Sequence, residues 1–277
     1  MSATVPFRLV AGHLTVVPVT VDDRRAASFL FDTGIGVTVL DDRLRRELGH
    51  SLEPPPFVGR RMSGQALEIP LCRLDALSLG TRRLERPVAG SFDLSGFSVP
   101  EGPLDGFLSL SFFEGAPVTV DYVRGALTIE DDRSMRAREA SGVSVPTEVR
   151  RDGPSVELFV DLELPGGSIA RVEVDTGSDH LILHARYLPE LGLGPGGPPM
   201  DVRKGTDETG RPYVRYATTL SGDVALHGHD SLRQAPPRAI FQEIIHDGLL
   251  GRDFLRAYAV TYDLAGHRLI FGAPAMR

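Results

Sequence analysis

The chain has 277 residues, enough for one large or two medium domains, and 42% hydrophobic and 24% charged residues, as is ordinary for a soluble globular protein. The net charge of -7, with no basic half, excludes the cationic surface expected of a protein that binds nucleic acid or an anionic membrane. A single cysteine, Cys72, excludes an internal disulfide, and no apolar run reaches the roughly 18 residues of a membrane span.

The first residues, "MSATVPFRLVAGHLTVVPV", lack the basic start and continuous apolar core of a secretory signal. Together with the low cysteine content, this predicts a reducing, cytoplasmic location. Cys72 lies in the apolar run "IPLCRL", which indicates a buried packing residue rather than a nucleophile.

The first predicted elements form a β-hairpin. The run "HLTVVPVTV" (13–21) is apolar or alternating, the turn-rich "DDRRAA" follows, and a second strand ends in Asp32, Thr33 and Gly34. Next come an apolar strand and a short helix, "DDRLRRELG" (41–49), for which Asp41 or Asp42 is the expected N-cap and Gly49 the C-terminal stop.

The rest of the chain repeats this order. "FLFDTGIGVTVL" (29–40) matches "VEVDTGSDHLIL" (172–183), "LDGFLSLSFFEG" (104–115) matches "HDGLLGRDFLRA" (246–257), and "VTVDYVRGALTI" (118–129) matches "VTYDLAGHRLIF" (260–271). Three blocks in one order at nearly constant spacing indicate an internal duplication of a whole small domain. The sequence predicts an N-terminal lobe at 1–135 and a C-terminal lobe at 145–277. The connection at 130–145 is charged and has no regular apolar period.

A carboxylate at the end of a buried strand has an ordinary explanation in a turn or helix cap, but two at equivalent points of two copies favour a joint role. A pseudo-twofold axis between the copies would bring Asp32 and Asp175 face to face. Two carboxyls in such close contact share one proton and can hold a water between them. The second motif supplies the matching neighbours Thr176 and Gly177.

These paired motifs resemble the retropepsin/pepsin clan of aspartic proteases, whose catalytic dyad is the standard example of two carboxyls sharing a proton. They resemble most closely a single-chain, tandem retropepsin-like form of bacterial type. The resemblance implies an all-β, bilobal acid protease fold with two pseudo-twofold related lobes and short helices. It implies that Asp32 and Asp175 are catalytic, and that a supporting set surrounds them: Thr33, Gly34, Thr176, Gly177 and Ser178.

The resemblance also implies a flap from each copy and a structural ion pair. The flap candidates are hairpins with tips near Ser63 and Gly64 in the first copy and near Thr209 and Gly210 in the second. The ion pair would join Asp179 to Arg252.

The first copy departs from this pattern at four positions. Gly36 and Leu110 stand where the second copy has the ion-pairing Asp179 and Arg252, so both charges are absent together. Ile35 and Ser109 stand where the second copy has Ser178 and Gly251, and these two differences bear on the symmetry of the dyad.

A metal site is not expected. The histidines of "HLILH" (180–184) lie two pleats apart on a predicted strand, and "HGHD" (227–230) is a loop without a third cluster of recognisable spacing. The proposed chemistry also needs no cofactor.

The sequence therefore predicts an aspartic endopeptidase that acts on a peptide or protein and is active as a monomer, since both aspartates lie in one chain. The alternative from another class is a non-catalytic peptide-binding module on the same scaffold. A third interpretation, glycoside hydrolysis, would need the carboxyls about 5 Å or more apart. Neither nucleic acid nor a membrane is expected as a partner.

Overall fold

The computed structural model describes residues 1–97, 102–194, 197–206 and 210–273. Short strands dominate the described first half of the chain: β1 (Ala3–Pro6), β2 (Arg8–Val10), β3 (Leu14–Val21), β4 (Arg25–Phe31), β5 (Val39–Asp41), β6 (Leu52–Arg60), β7 (Ala66–Arg73), β8 (Ala76–Leu79), β9 (Arg82–Glu85), β10 (Val88–Phe92), β11 (Gly106–Leu108), β12 (Val118–Asp121) and β13 (Ala126–Ile129).

The second half continues in the same way: β14 (Val143–Pro146), β15 (Glu148–Asp152), β16 (Ser155–Glu163), β17 (Ile169–Val174), β18 (Leu181–His184), β19 (Asp201–Thr206), β20 (Pro212–Thr219), β21 (Val224–Leu226), β22 (His229–Gln234), β23 (Arg238–Gln242), β24 (Gly248–Leu250), β25 (Ala259–Asp263) and β26 (Arg268–Gly272). Three short α-helices accompany the strands in the described part of the chain: α1 (Asp42–Leu48), α2 (Asp132–Ser141) and α3 (Arg252–Leu255). Two 3₁₀ helices complete the set: Leu110–Phe113 and Ala185–Tyr187.

Two sheets with the same strand order form the two lobes. One runs β6-β7-β10-β5-β11-β4-β3-β8-β9, with β2 beside β3, and the other runs β19-β20-β23-β18-β24-β17-β16-β21-β22, with β15 beside β16. The two orders coincide when β2 to β11 are matched in sequence with β15 to β24. The predicted bilobal, all-β fold is confirmed.

A third sheet joins the lobes. Its order is β1-β13-β12-β25-β26-β14, so each half of the chain contributes three strands. β12 and β25 pair antiparallel at its centre, with Val118 opposite Tyr262 and Asp121 opposite Ala259. The ring of Phe31, at the end of β4, packs edge-on against both Phe113 and Tyr262. The core is therefore continuous from the first lobe into the joining sheet, which fixes the end of β4.

Helix α1 follows the sequence prediction. The Asp41 carboxylate accepts the backbone N–H of Arg43, and Gly49 ends the helix in the left-handed conformation at φ +84°. Helix α2 lies within the predicted connection at 130–145. Asp131 and Ser134 form a capping box at its start, and Met135 is its buried residue. Capping and helix-forming residues stabilise this helix without an apolar stripe.

Cys72 is fully buried in β7, and burial raises the pKa of its thiol to about 11. The neutral thiol acts as a packing group there. Within the described ranges, no helix is long and apolar enough to cross a membrane.

Candidate active site

The two Asp-Thr-Gly motifs begin directly after β4 and β17, the matching strands of the two lobes. The backbone N–H of Asp32 donates to the carbonyl of Leu108 at 3.0 Å, and that of Asp175 donates to Leu250 at 3.1 Å. Both carbonyls terminate the neighbouring strands β11 and β24. Each aspartate is therefore held by the same pair of neighbouring parallel strands in its own lobe.

The two carboxyl groups face each other between the lobes, each against the glycine of the opposite motif. Contact with Asp175 is among the causes that raise the pKa of Asp32. Each also accepts the N–H of the glycine in its own motif, Gly34 at 2.9 Å and Gly177 at 2.8 Å. A Cβ added at Gly34 would lie 2.7 Å from Asp175 Oδ1, and one added at Gly177 would lie 2.6 Å from Asp32 Oδ2. Only glycine allows the opposite carboxyl to approach this closely.

The two threonines hold the motifs together. Thr33 N–H donates to Thr176 Oγ1, and Thr176 N–H donates to Thr33 Oγ1, both at 3.0 Å. The hydroxyls in turn donate to backbone carbonyls of the opposite lobe, Thr33 to Val174 and Thr176 to Phe31. Both threonines are fully buried, so this reciprocal set of four bonds fixes one lobe against the other in a water-poor environment.

The pKa values of both carboxyls are raised. Burial is the largest cause for Asp32, followed by repulsion from Asp175, and burial is also the largest cause for Asp175. Backbone N–H groups of Gly34 and Ile35 act in the opposite direction on Asp32, as do those of Gly177 and Ser178 on Asp175. Buried like charges in contact cannot both ionise cheaply, so the pair holds one proton over a wide pH range.

A cleft of about 860 Å³ opens above the dyad between the lobes. Its wall on the side of the first lobe is mainly apolar and includes Val39, Phe57, Ile69, Phe92, Leu94 and Phe107. Each carboxyl lies against the glycine of the opposite motif, so the two face each other directly, whereas the glycosidase geometry needs carboxyls about 5 Å or more apart.

The β6–β7 hairpin of the first lobe, the predicted flap, reaches across the cleft. Its tip contains Ser63 and Gly64, and the backbone N–H of Ile245 in the second lobe donates to the carbonyl of Met62 at 2.8 Å. The Met62 side chain packs beside an apolar cluster of the second lobe. Several residues of this hairpin line the cleft: Phe57, Val58, Gly59, Arg60, Arg61, Met62, Leu67 and Ile69.

The hairpin of the second lobe, β19–β20, behaves differently. Thr209 lies outside the described residues, and Gly210 is exposed, with no atom within 4 Å of an added Cβ. No described residue of this hairpin is among those that line the cleft. Of the two flap candidates, the structure therefore brings only the tip of the first against the opposite lobe.

In the second lobe, Arg252 at the start of α3 pairs with Asp179. Arg252 Nε and Nη2 donate to the same oxygen, Asp179 Oδ1, at 3.3 and 3.1 Å, so the contact is not the two-oxygen fork. The Ser178 hydroxyl donates to the His180 carbonyl at 3.0 Å and thus braces its own loop.

One cluster of possible metal ligands, which the sequence analysis did not single out, lies beside this ion pair. Asp179, His180 and Asp253 each offer a ligand atom, all within 4.8 Å of one another. The Arg252 guanidinium forms an ion pair with Asp179, and His180 Nδ1 lies 2.7 Å from Asp253 Oδ2. A cation here would compete with the charge of Arg252, so the set fits an ion-pair network better than a metal centre.

The first lobe has a physical reason to lack the aspartate at position 36. Gly36 adopts φ +72°, and an added Cβ would lie 2.4 Å from Ser155 Oγ of the second lobe. Its carbonyl also accepts the N–H of Val156 at 3.2 Å. In place of the ion pair, Ser109 N–H donates to Thr38 Oγ1 at 3.2 Å. The loop is therefore shaped to contact the other lobe rather than to hold an arginine.

Gly36→Ala is expected to destabilise the protein by about 2–4 kcal/mol, because it adds a positive-φ penalty of about 1–2 kcal/mol and a steric clash with Ser155. Gly49→Ala is the matched control, since Gly49 has φ +84° and no atom within 4 Å of an added Cβ. It should cost only the φ penalty. Urea unfolding of both variants and of Gly36→Ala/Ser155→Ala, which removes the clashing oxygen, measures the two contributions. Equal losses at positions 36 and 49 would contradict the contact with Ser155.

The structure adds polar cleft residues that the sequence analysis did not single out. Glu173, two residues before Asp175, lines the cleft together with His246 and Glu157. The available signal was a difference between the copies, since Leu30 occupies the position equivalent to Glu173 and Leu104 the position equivalent to His246.

Comparison with known proteins agrees with this architecture. Residues 17–112 match a family model described as aspartyl protease. Solved structures that match include conglutin gamma, described as a unique basic 7S globulin from lupine seeds, with 11% identity and a TM-score of 0.56. That alignment covers 98% of this chain and 94% of the globulin, and at this identity it shows the fold alone. No curated protein sequence matches the chain.

Proposed function

We propose that this chain is an aspartic endopeptidase that hydrolyses peptide bonds with a water held by Asp32 and Asp175. One observation carries the proposal. The two carboxyls face each other at the floor of a cleft between the lobes, and the pKa of each is raised. Groups poised in this way are typical of acid–base catalysis.

The mechanism uses the single shared proton. The ionised carboxylate accepts a proton from the water, which attacks the peptide carbonyl carbon, while the protonated carboxyl donates to the carbonyl oxygen. The resulting tetrahedral gem-diol intermediate collapses when the first carboxyl passes the proton that it accepted to the nitrogen, the second carboxylate takes a proton from a gem-diol hydroxyl, and the C–N bond breaks. The reciprocal hydrogen bonds between Thr33 and Thr176 hold the carboxyls in register through these steps. All the groups involved come from one chain, so the proposed active form is a monomer.

The cleft suits an extended peptide substrate. Its volume of about 860 Å³ is in the range of sites that enclose a ligand of several residues, and its first-lobe wall is apolar. The β6–β7 hairpin, bonded to Ile245, would exclude water from the bound peptide and must open to admit it.

A non-catalytic peptide-binding module is the second candidate. Two observations favour it: one solved structure of the same fold is named as a seed globulin, and Ile35 stands beside Asp32 where the second copy has Ser178. Fold alone does not determine activity. The contact between the two carboxyls supports the endopeptidase over this alternative.

Peptide cleavage profiling across pH tests the proposal. A mixture of unstructured peptides is expected to be cut under acidic conditions, and a statine-type inhibitor, which places a hydroxyl between the carboxyls, should block the cleavage. Peptides that bind without being cut at any pH, with or without the inhibitor, would favour the binding module. A zinc chelator serves as the control and should leave cleavage unchanged.

A further inference from the structure

The two lobes differ in chemistry at equivalent positions beside the two aspartates. In the first lobe, Leu30 pairs with Val16, and in the second lobe Glu173 pairs with Phe159 at the same register. The first-lobe positions belong to an apolar cluster or pack against it: Val10, Leu14, Val16, Leu30 and Leu104. The strand register and the repeated motif match them to Arg150, Glu157, Phe159, Glu173 and His246. Four of the five second-lobe residues carry titratable groups.

Glu173 is the central residue of this polar wall. Its side chain is only 6% exposed, yet it lines the cleft, and it lies two residues before Asp175 on the same face of β17. The nearest charged or ionisable partner is His246, whose Nε2 lies 3.7 Å from Glu173 Oε2. Among the described residues, no group donates a hydrogen bond to this carboxyl, which lines the open cleft.

The charge of Arg150 favours an ionised Glu173, but burial and the neighbouring carboxylates outweigh it. Burial lowers the pKa of His246, and so does the nearby charge of Arg150, so the imidazole is neutral at physiological pH. Burial raises the pKa of Glu173, with further contributions from the negative charges of Asp175 and Glu157. The carboxyl therefore gains most from a cation that enters the cleft.

The two arginines on this wall are already paired elsewhere. Arg150 donates from Nε to Glu148 at 2.6 Å, and its guanidinium lies 4.1 Å from the centre of the Phe159 ring. Arg151 donates to Glu114 at 2.8 Å. Glu157 also lines the cleft and makes no ion pair or hydrogen bond with the described residues. Among the described residues, no guanidinium donates a hydrogen bond to Glu157 or Glu173, although the charge of Arg150 acts on both carboxyls.

We propose that this pocket, walled by Glu157, Glu173 and His246, binds an arginine or lysine side chain of the substrate one or two residues from the scissile bond. The inference rests on the proposed function and names its substrate class. Adjacent side chains on one face of a strand are about 7 Å apart, so the pocket lies directly beside the dyad. An ammonium or guanidinium group of the substrate would donate a hydrogen bond directly to Glu173, which no described cationic side chain does. Such a charge-assisted bond in a buried site discriminates strongly against neutral isosteres.

Positional peptide mixtures test the pocket in the full chain. Each mixture fixes arginine, lysine, citrulline or norleucine at one position of an otherwise varied octapeptide, and initial cleavage rates are compared. At one position, arginine and lysine are expected to be cleaved at least about tenfold faster than the neutral isostere citrulline. Glu173→Gln should abolish that ratio, and Glu173→Leu, which copies the first lobe, should favour norleucine. Glu85→Gln removes a carboxylate whose side chain is 81% exposed and should leave the ratio unchanged.

A binding measurement separates this inference from the proposed function. Fluorescence anisotropy with labelled arginine and citrulline mixtures is repeated on Asp32→Asn, which retains the cleft but lacks the dyad. A preference for arginine that is lost in Asp32→Asn/Glu173→Gln supports the pocket even if the wild type cleaves nothing. Equal binding of arginine and citrulline, a preference for acidic peptides, no binding of either mixture, or a preference that survives Glu173→Gln would each overturn it.

Discussion

Asp32→Asn and Asp175→Asn are each expected to lower kcat/KM for peptide cleavage by at least about 10³-fold while leaving the fold intact. Either substitution removes one of the two groups between which the proton is shared. An amide can neither accept the water's proton nor replace the ionisable carboxyl, so the acid and base roles cannot both be filled. The measurement is cleavage of a fluorogenic peptide by each variant, with circular dichroism as the check of folding.

The same variants are expected to differ from the wild type in the pH dependence of stability. Because the folded protein raises the pKa of both carboxyls, the folded state binds protons more tightly than the unfolded chain, in which aspartate titrates near 3.9. The contribution of these two carboxyls to stability is therefore fully present below about pH 4. It is lost as the pH rises through the raised pKa values, by up to about 1.4 kcal/mol per pH unit for each excess proton bound by the folded state. The asparagine introduced in either variant never ionises, so each variant should become more stable than the wild type at neutral pH.

Asp23→Asn provides the control with the opposite sign. Asp23 is exposed, and its pKa is lowered chiefly by the side-chain hydrogen bond from Arg83. That carboxylate stabilises the fold only above its unfolded pKa, so the variant should be slightly less stable than the wild type at neutral pH and equal to it in acid. Full activity in Asp32→Asn or Asp175→Asn would disprove the dyad, and a neutral-pH loss of stability in both would contradict the raised pKa values.

The sequence carries enough information to predict the dyad because that prediction depends on two strong local signals. Each Asp-Thr-Gly follows a buried strand, and their recurrence in matching blocks predicts a symmetric meeting of Asp32 with Asp175. Helix α1 is predictable for a similar reason, since its cap residues Asp41 and Gly49 lie within the helix sequence itself.

Features that arise from contacts between the copies are not predictable in this way. The apposition of Gly36 and Ser155 and the bond between Ile245 and Met62 join segments that are distant in sequence and have no counterpart in the other copy among the described residues. A repeat predicts what two copies share, whereas packing across an axis decides where they differ. Glu173 has the same origin, because its burial and its lack of a hydrogen-bond partner within the described ranges depend on neighbours from several strands.

Thr176→Val is expected to destabilise the protein by about 2–5 kcal/mol and to lower kcat/KM by about 10²-fold. Valine has nearly the same shape but leaves the buried Thr33 N–H without its acceptor and the Phe31 carbonyl without its donor. Each buried group left unsatisfied costs about 1–3 kcal/mol. Since the same bonds hold the two motifs in register, their loss also displaces Asp175 relative to Asp32, and displacements near 1 Å are costly in acid–base catalysis.

Two controls separate catalysis from general weakening of the lobe contact. Thr176→Ser keeps the hydroxyl and should retain most of the stability and activity. Thr261→Val removes another buried hydroxyl between the halves of the chain, since Thr261 Oγ1 lies 2.6 Å from Thr119 Oγ1 in the joining sheet, but it does not touch the dyad motifs. It should cost about 1 kcal/mol and leave kcat/KM unchanged. If Thr261→Val and Thr176→Val lower activity equally, the reciprocal hydrogen bonds of Thr33 and Thr176 serve only to hold the lobes together. If only Thr176→Val lowers activity, these hydrogen bonds position the carboxyls.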